Sequence, residues 1–186
     1  MKRQIIGVIL ATVAVYMWGF LYWGASTFPY SAWQATNDDA AAGKALLEHF
    51  PVSGTYYVPG MYDDEATRNK LSDAGPVAFV HIQREGRPVV DTSIMLNGFL
   101  LTFVTALLIS MILKRALPAL PSYTDRAGFV ALVGLTAVVM IDCGDAVWWN
   151  TPWGWKIYQI FYDLVAWVIA GLVLAKFVRP ESAATE

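Results

Sequence analysis

Hydrophobic residues fall along this chain in four long runs, at residues 5–25, 94–113, 127–147 and 157–178. Each reaches the ~20 residues that an α-helix needs to cross the hydrocarbon core of a bilayer. Apolar side chains go all round each run, which excludes an amphipathic helix resting on a soluble core. Between the first and second runs, residues 26–93 break into short alternating pieces separated by Gly and Pro. The pattern predicts an all-α membrane protein, a four-transmembrane-helix bundle, with a small α/β extracytoplasmic insert between helices 1 and 2.

Charge sharpens this picture. Charged residues make up only 15% of the chain and hydrophobic residues 56%, against roughly 25% charged in soluble domains. Lys2 and Arg3 lie in residues 1–4, Lys114, Arg115 and Arg126 in the link 114–126, and Lys176 and Arg179 at the end of the fourth run and in the tail 179–186. All three groups fall on one side, so the positive-inside rule predicts cytoplasmic N- and C-termini. The other side receives residues 26–93, with nine acids and five bases, and the short turn 148–156. Tyr16, Trp18, Tyr22 and Trp23, with Trp148, Trp149, Trp153 and Trp155, read as an interfacial aromatic belt on that side. The four turn tryptophans could also stack a sugar or quinone ring, but a belt accounts for them without a ligand. Lys2-Arg3, the apolar run, and Gly24 and Ser26 fit a cleaved signal peptide loosely. The length of the run and its aromatic end favour a retained anchor.

The segment 26–93 has the signs of a folded unit. Asn37 or Asp38 should cap a helix through residues 40–49, stopped by Pro51 and Ser53-Gly54. Thr55-Tyr56-Tyr57-Val58 predicts a strand closed by Pro59-Gly60. Asp63, Asp64 and Glu65 suit the positive end of a second helix to about Leu71, which Gly75-Pro76 breaks. Residues 77–82 predict a strand, residues 84–87 a turn, and Val89-Val90 the start of a return strand at an edge after Pro88. About 65 residues is marginal for a self-sufficient core, so the unit should lean on the helices or on a partner. His81 should point away from the face that Val80 and Ile82 cover, as a solvated strand histidine. The dipole of its helix explains His49.

The stretch Ser53-Gly54-Thr55-Tyr56-Tyr57-Val58-Pro59-Gly60-Met61 resembles a segment in a family of small, uncharacterised four-span bacterial inner-membrane proteins. Similar too are Gly75-Pro76-Val77, Glu85-Gly86, Ala116-Leu117-Pro118, Pro121-Ser122-Tyr123 and the Tyr162-Asp163 pair. The resemblance covers nearly the whole chain. It implies the four-span topology and a bacterial inner membrane, and it transfers no catalytic residue.

Several chemistries are excluded. One cysteine, Cys143, allows no intramolecular disulfide. Both histidines, His49 and His81, lie outside the apolar runs, which argues against haem or a histidine-rich metal site in the bundle. A net charge of −2 without a basic tract argues against nucleic acid. No cofactor or metal is expected, and the acidic run 63–65 lacks calcium-loop spacing. Small residues on the third and fourth runs (Ala127, Ala131, Ala166, Ala170, Gly171, Ala175) permit close helix contact and are compatible with a homo-oligomer without requiring one.

The candidate site is a set of intramembrane carboxylates. Asp142 sits about 9 Å below the outer boundary and Asp163 about 10 Å, from 1.5 Å rise per residue. A short turn makes their helices antiparallel neighbours, so the two acids should stand at matched height. Asp145 is one turn above Asp142 on nearly the same face. Gln159 and Tyr162 lie near Asp163, and Asn97 should enter from the second run. No Lys or Arg lies deep in the bundle to neutralise these acids, so at least one should be protonated. Two uses compete: a shared proton or captured cation, or hydrogen-bonded glue between helices. With no nucleophile–base pair or metal motif, an enzyme is the weakest reading. The leading one is a non-catalytic accessory or structural component presenting its outer domain to a membrane or envelope partner. The alternative is a small proton- or ion-coupled transporter or polar-ligand-binding protein using the paired aspartates.

Overall fold

The computed structural model describes residues 2–61 and 64–180; Asp63, expected at the start of a helix, and most of the tail lie outside them. The chain is 73% helical, with four helices long and apolar enough to cross a membrane and one two-stranded sheet. In order, the elements are α1 (Lys2–Gly19), continued by a π-helical turn (Phe20–Ala25) and a 3-10 turn (Phe28–Ala32), then α2 (Asp39–His49), β1 (Gly54–Val58), α3 (Glu65–Ala74) and β2 (Ala78–Ile82). There follow α4 (Thr92–Ala116), α5 (Tyr123–Val138), a π-helical turn (Val139–Cys143), α6 (Gly144–Trp148) and α7 (Trp153–Phe177). The chain divides into two compact units, one built from residues up to Trp33 together with those from Thr92 onward, the other Gln34–Asp91.

In the helical unit, α1 packs on α4 and α7, and α5 packs on α7 and, over a smaller area, on α4. Contacts between opposite ends fix the directions. Arg3 at the start of α1 donates to Phe177 O (2.7 Å) and Arg179 O (2.9 Å) past the end of α7. Arg126 in the first turn of α5 donates to Ala175 O (3.1 Å), and also to Leu120 O and Pro121 O (3.2 and 2.8 Å). Tyr16, near the far end of α1, donates to Met95 O at the start of α4. The helices therefore run alternately up and down. Both arginines supply donors to carbonyls that a helix C-terminus leaves unpaired, where the dipole also favours a cation. Two of the bases counted for orientation are thus also structural caps, and Arg126 is buried.

The interior is made of small and medium side chains, among them Val8, Ala11, Ala106, Ile109, Leu113, Val130, Ala170 and Leu174. Other apolar residues such as Ile5, Leu101, Leu132 and Met140 face outward. Small interior residues such as Ala11, Ala106 and Ala170 let helices approach closely where the surroundings are as apolar as the core. Gly134 shows how close the approach is: a Cβ there would run into the ring of Trp167.

In the unit Gln34–Asp91, Asp38 caps α2 through Ala41 N and Asp64 caps α3 through Thr67 N, both at 3.0 Å. Gly75, at φ 66°, ends α3 in a backbone region that glycine enters freely. β1 and β2 pair antiparallel with Tyr56 opposite Val80. Tyr56, Val58, Ala78, Val80 and Ile82 form the half-buried face, while Thr55, Tyr57, Phe79 and His81 form the exposed one. The expected return strand at Val89-Val90 is not there. Those residues lie in a bend and are exposed: Pro88 removes a ladder donor, and Arg84 turns back to donate to Leu47 O and Phe50 O.

Candidate functional site: a buried charge cluster between α5, α6 and α7

The π-helical turn inserts an extra residue per turn into the third long helix, a deviation that often marks a functional position. Asp142 lies in it, and Asp145 follows in α6. The chain then reverses. Trp149 N and Thr151 N both donate to Asp145 O, and Asn150 adopts φ 53°, a left-handed conformation that Asn tolerates better than most residues. α7 starts at Trp153, so Lys156 falls in its first turn rather than in the connection.

This corrects the expectation that no base neutralises the acids. Lys156 turns inward, its Nζ 2.7 Å from Asp145 Oδ2 and 3.1 Å from Asp142 Oδ1. The side chains of Lys156 and Asp142 are only 5% and 10% exposed, while that of Asp145 is 41% exposed. Asp163 stands two turns further along α7 and is half-buried. Asp142 and Asp145 therefore converge on a lysine.

Of the other expected members, Gln159 lies one turn from both Lys156 and Asp163 on α7, and spacings of three and four share a helix face. Its Oε1 is shut off from solvent without a hydrogen-bond donor. Tyr162 turns the other way, towards α1, where it stacks on Trp18 (centroids 6.2 Å apart) and meets Tyr22 and Trp23. Asn97 is exposed on α4, which packs chiefly on α1.

The aromatic residues also divide. Trp148, Trp149 and Trp153 are exposed, as a belt requires. Trp155 instead joins Trp23 and Trp33 at 5.7 and 5.6 Å. Together with Trp18, Tyr22, Phe28 and Tyr162, these rings form a packed knot that ties α1 to α7. Trp18 Nε1 donates to Tyr162 O and the Tyr22 hydroxyl to Tyr158 O, which satisfies their polar ends.

Hydropathy hid Lys156 by ending the apolar run at it. A different signal was available: counted from the middle of the turn, Lys156 is as far along as Asp145, and Gln159 as Asp142. In an antiparallel hairpin such positions stand opposite each other.

The second unit offers a surface. Tyr57 and Phe79 lie 6.4 Å apart on the exposed sheet face, beside Thr55 and His81, whose Oγ1 and Nδ1 share a 2.9 Å hydrogen bond. His81 thus points away from the Val80 face as expected. A cavity of about 360 Å³ beside it is lined by His81, Ile82, Gln83, Glu85 and Arg87. The Ser53 hydroxyl donates to Glu85 at 2.7 Å and holds that carboxyl below its usual range, with the charge of Arg84 adding to the effect. Asp64 is lowered likewise by its hydrogen bonds to Thr67.

Among the described residues no group of three His, Cys, Asp or Glu side chains is placed to hold a metal ion. Comparison with protein families, with curated proteins and with solved structures finds no match to this chain.

Proposed function

We propose that this is a multi-pass protein of the bacterial inner membrane, with cytoplasmic termini. In this reading it serves as a non-catalytic accessory component that presents Gln34–Asp91 to a protein partner on the outer side. The observation that carries the reading is the poverty of that unit's interior. Among its described residues only Pro59 is buried, and neither α2 nor α3 has a buried residue. Leu46, Leu47, Val52, Tyr57, Met61, Leu71, Val77 and Phe79 are all exposed. Apolar surface gathered on so small a unit marks an interaction site. Nine acids against five bases in residues 26–93 favour a partner with a basic rim around an apolar patch.

Transport driven by paired aspartates fits less well, because Lys156 compensates Asp142 and Asp145 directly. The membrane side is tested by placing single cysteines in the outer unit and near the N-terminus of a Cys143→Ser chain, then labelling intact cells with an impermeant maleimide. Only the outer cysteine should react. For the partner, a photo-crosslinker at Tyr57 or Phe79 should give one discrete product in cells, and the same probe at Arg68 or Lys70 should give none. Equal products from all four positions, or none, would remove the reading.

A further inference from the structure

From the layout of charge at the end of the bundle where α1 starts and α7 stops, we infer that this end binds anionic phospholipid. The headgroup lies on the bases and the acyl chains on the apolar sides of the same helices. The inference rests on these helices crossing a bilayer and not on what Gln34–Asp91 binds. Geometry supplies the first argument. Arg3 ties the start of α1 to the end of α7, and Arg126 ties the start of α5 to the same end. Gln4 Nε2 donates to Ser110 Oγ at 3.1 Å, which brings in the last two turns of α4. Bases far apart in sequence thus gather on one surface.

Charge is the second argument. Arg3 and Arg126 are engaged on carbonyls, whereas Lys2, Lys114, Arg115, Lys176 and Arg179 are exposed. No ion pair among the described residues involves any of these exposed bases. Asp125, the described acid at this end, is held in the capping box of α5, where it accepts from Ser122 N at 3.1 Å. Glu181 and Glu186 of the tail lie outside the described residues. Gathered like charges repel one another, and a counter-charge from outside the chain relieves that. The helix dipole accounts for Lys114, Arg115 and Lys176, in the last turns of α4 and α7. It does not account for Lys2, which stands at the positive end of α1, where the dipole disfavours a cation.

The third argument selects the ligand. Exposed apolar side chains begin about a turn from these bases: Ile5 and Ile6 follow Lys2, and Met111 and Ile112 precede Lys114. A ligand that matches both must join a negative head to hydrocarbon in one molecule, as an anionic phospholipid does. Basic side chains beside a span attract such headgroups over about a Debye length. An acidic peptide or free phosphate would use the charge alone.

Thermal unfolding of the full chain in detergent micelles tests the inference, with added phosphatidylglycerol or phosphatidylcholine of the same acyl chains. All eight tryptophans lie in the helical unit, so their fluorescence reports on it. Phosphatidylglycerol should raise the Tm by several degrees more than phosphatidylcholine, and high salt should remove most of the difference. Lys2→Gln, Lys114→Gln, Arg115→Gln and Lys176→Gln together should at least halve it, whereas Lys44→Gln with Lys70→Gln in the other unit should leave it whole. Equal Tm in the two lipids, or a difference that survives salt or the four-site variant, would overturn the inference. So would equal stabilisation by glycerol phosphate, the headgroup without its chains. If the four-site variant does not fold, Lys114→Gln with Arg115→Gln carries the same decision, and the natural chain in salt decides independently.

Discussion

The helical unit and the unit Gln34–Asp91 solve the same problem, satisfying polar groups, in opposite ways. In the helical unit enclosed polar side chains are few, and apart from the Gln159 Oε1 those described here are committed to partners. Lys156 answers two aspartates, Arg126 answers three carbonyls, and Trp18 and Tyr22 each find a backbone oxygen. In Gln34–Asp91 no described charged group is buried, and hydrogen bonds rather than burial hold the shape: Arg84 on Leu47 O and Phe50 O, and Ser53 on Glu85. One unit is specified by what it encloses. The other is specified at its surface, where its apolar side chains lie exposed.

The largest expected effect tests the enclosed side. Lys156→Met should leave Asp142 buried beside a second carboxyl with no cation. Removing one partner of a buried pair costs about 3–5 kcal/mol. Thermal unfolding in detergent should show it, and Lys156→Met combined with Asp142→Asn should recover a large part. By contrast, Lys70→Met, exposed on α3, should change almost nothing. Equal losses from the two lysine variants would break the distinction between the units.

Glycine to alanine sharpens the contrast, because the same change should have opposite signs. At Gly134 the new methyl would meet Trp167, and overpacking costs typically 1–3 kcal/mol. At Gly43, within α2, no atom lies within 4 Å of the added Cβ, so Gly43→Ala should stabilise its helix by about 1 kcal/mol. Unfolding curves for the two variants decide the matter; a loss at Gly43 would mean that α2 packs where the structure shows it open.

These differences also explain what could be read in advance. The four long helices were legible because hydropathy averages over ~20 residues and tolerates local error. Asp38 and the β1 and β2 segments were legible because caps and alternation are local. Lys156 was not, because a window that scores a lysine as polar cannot see its stem folding back across a hairpin. The turn of Tyr162 towards α1 was missed for the related reason that facing depends on which neighbour a helix has, and the order of packing is not written in any one run. Val89-Val90 failed because β-branched residues supply propensity but not a pairing partner.

The smallest effect concerns two carboxyls of the exposed unit. Glu85 and Asp64 are held below the usual carboxylate range by Ser53 and Thr67. A carboxyl lowered in the folded state contributes stability above its unfolded value, and that contribution is lost as pH falls through the folded one. Acidification below the ordinary carboxylate range should therefore loosen Gln34–Asp91, seen as faster amide exchange in α3 and around β2. Both groups are fully solvated, so the change should be slight and should shrink further in salt. Ser53→Ala, which removes the main hydrogen bond to Glu85, should flatten the dependence near β2 while leaving that of α3 intact. Identical slopes in the two chains would show that Ser53 only marks the turn and does not hold the Glu85 carboxyl.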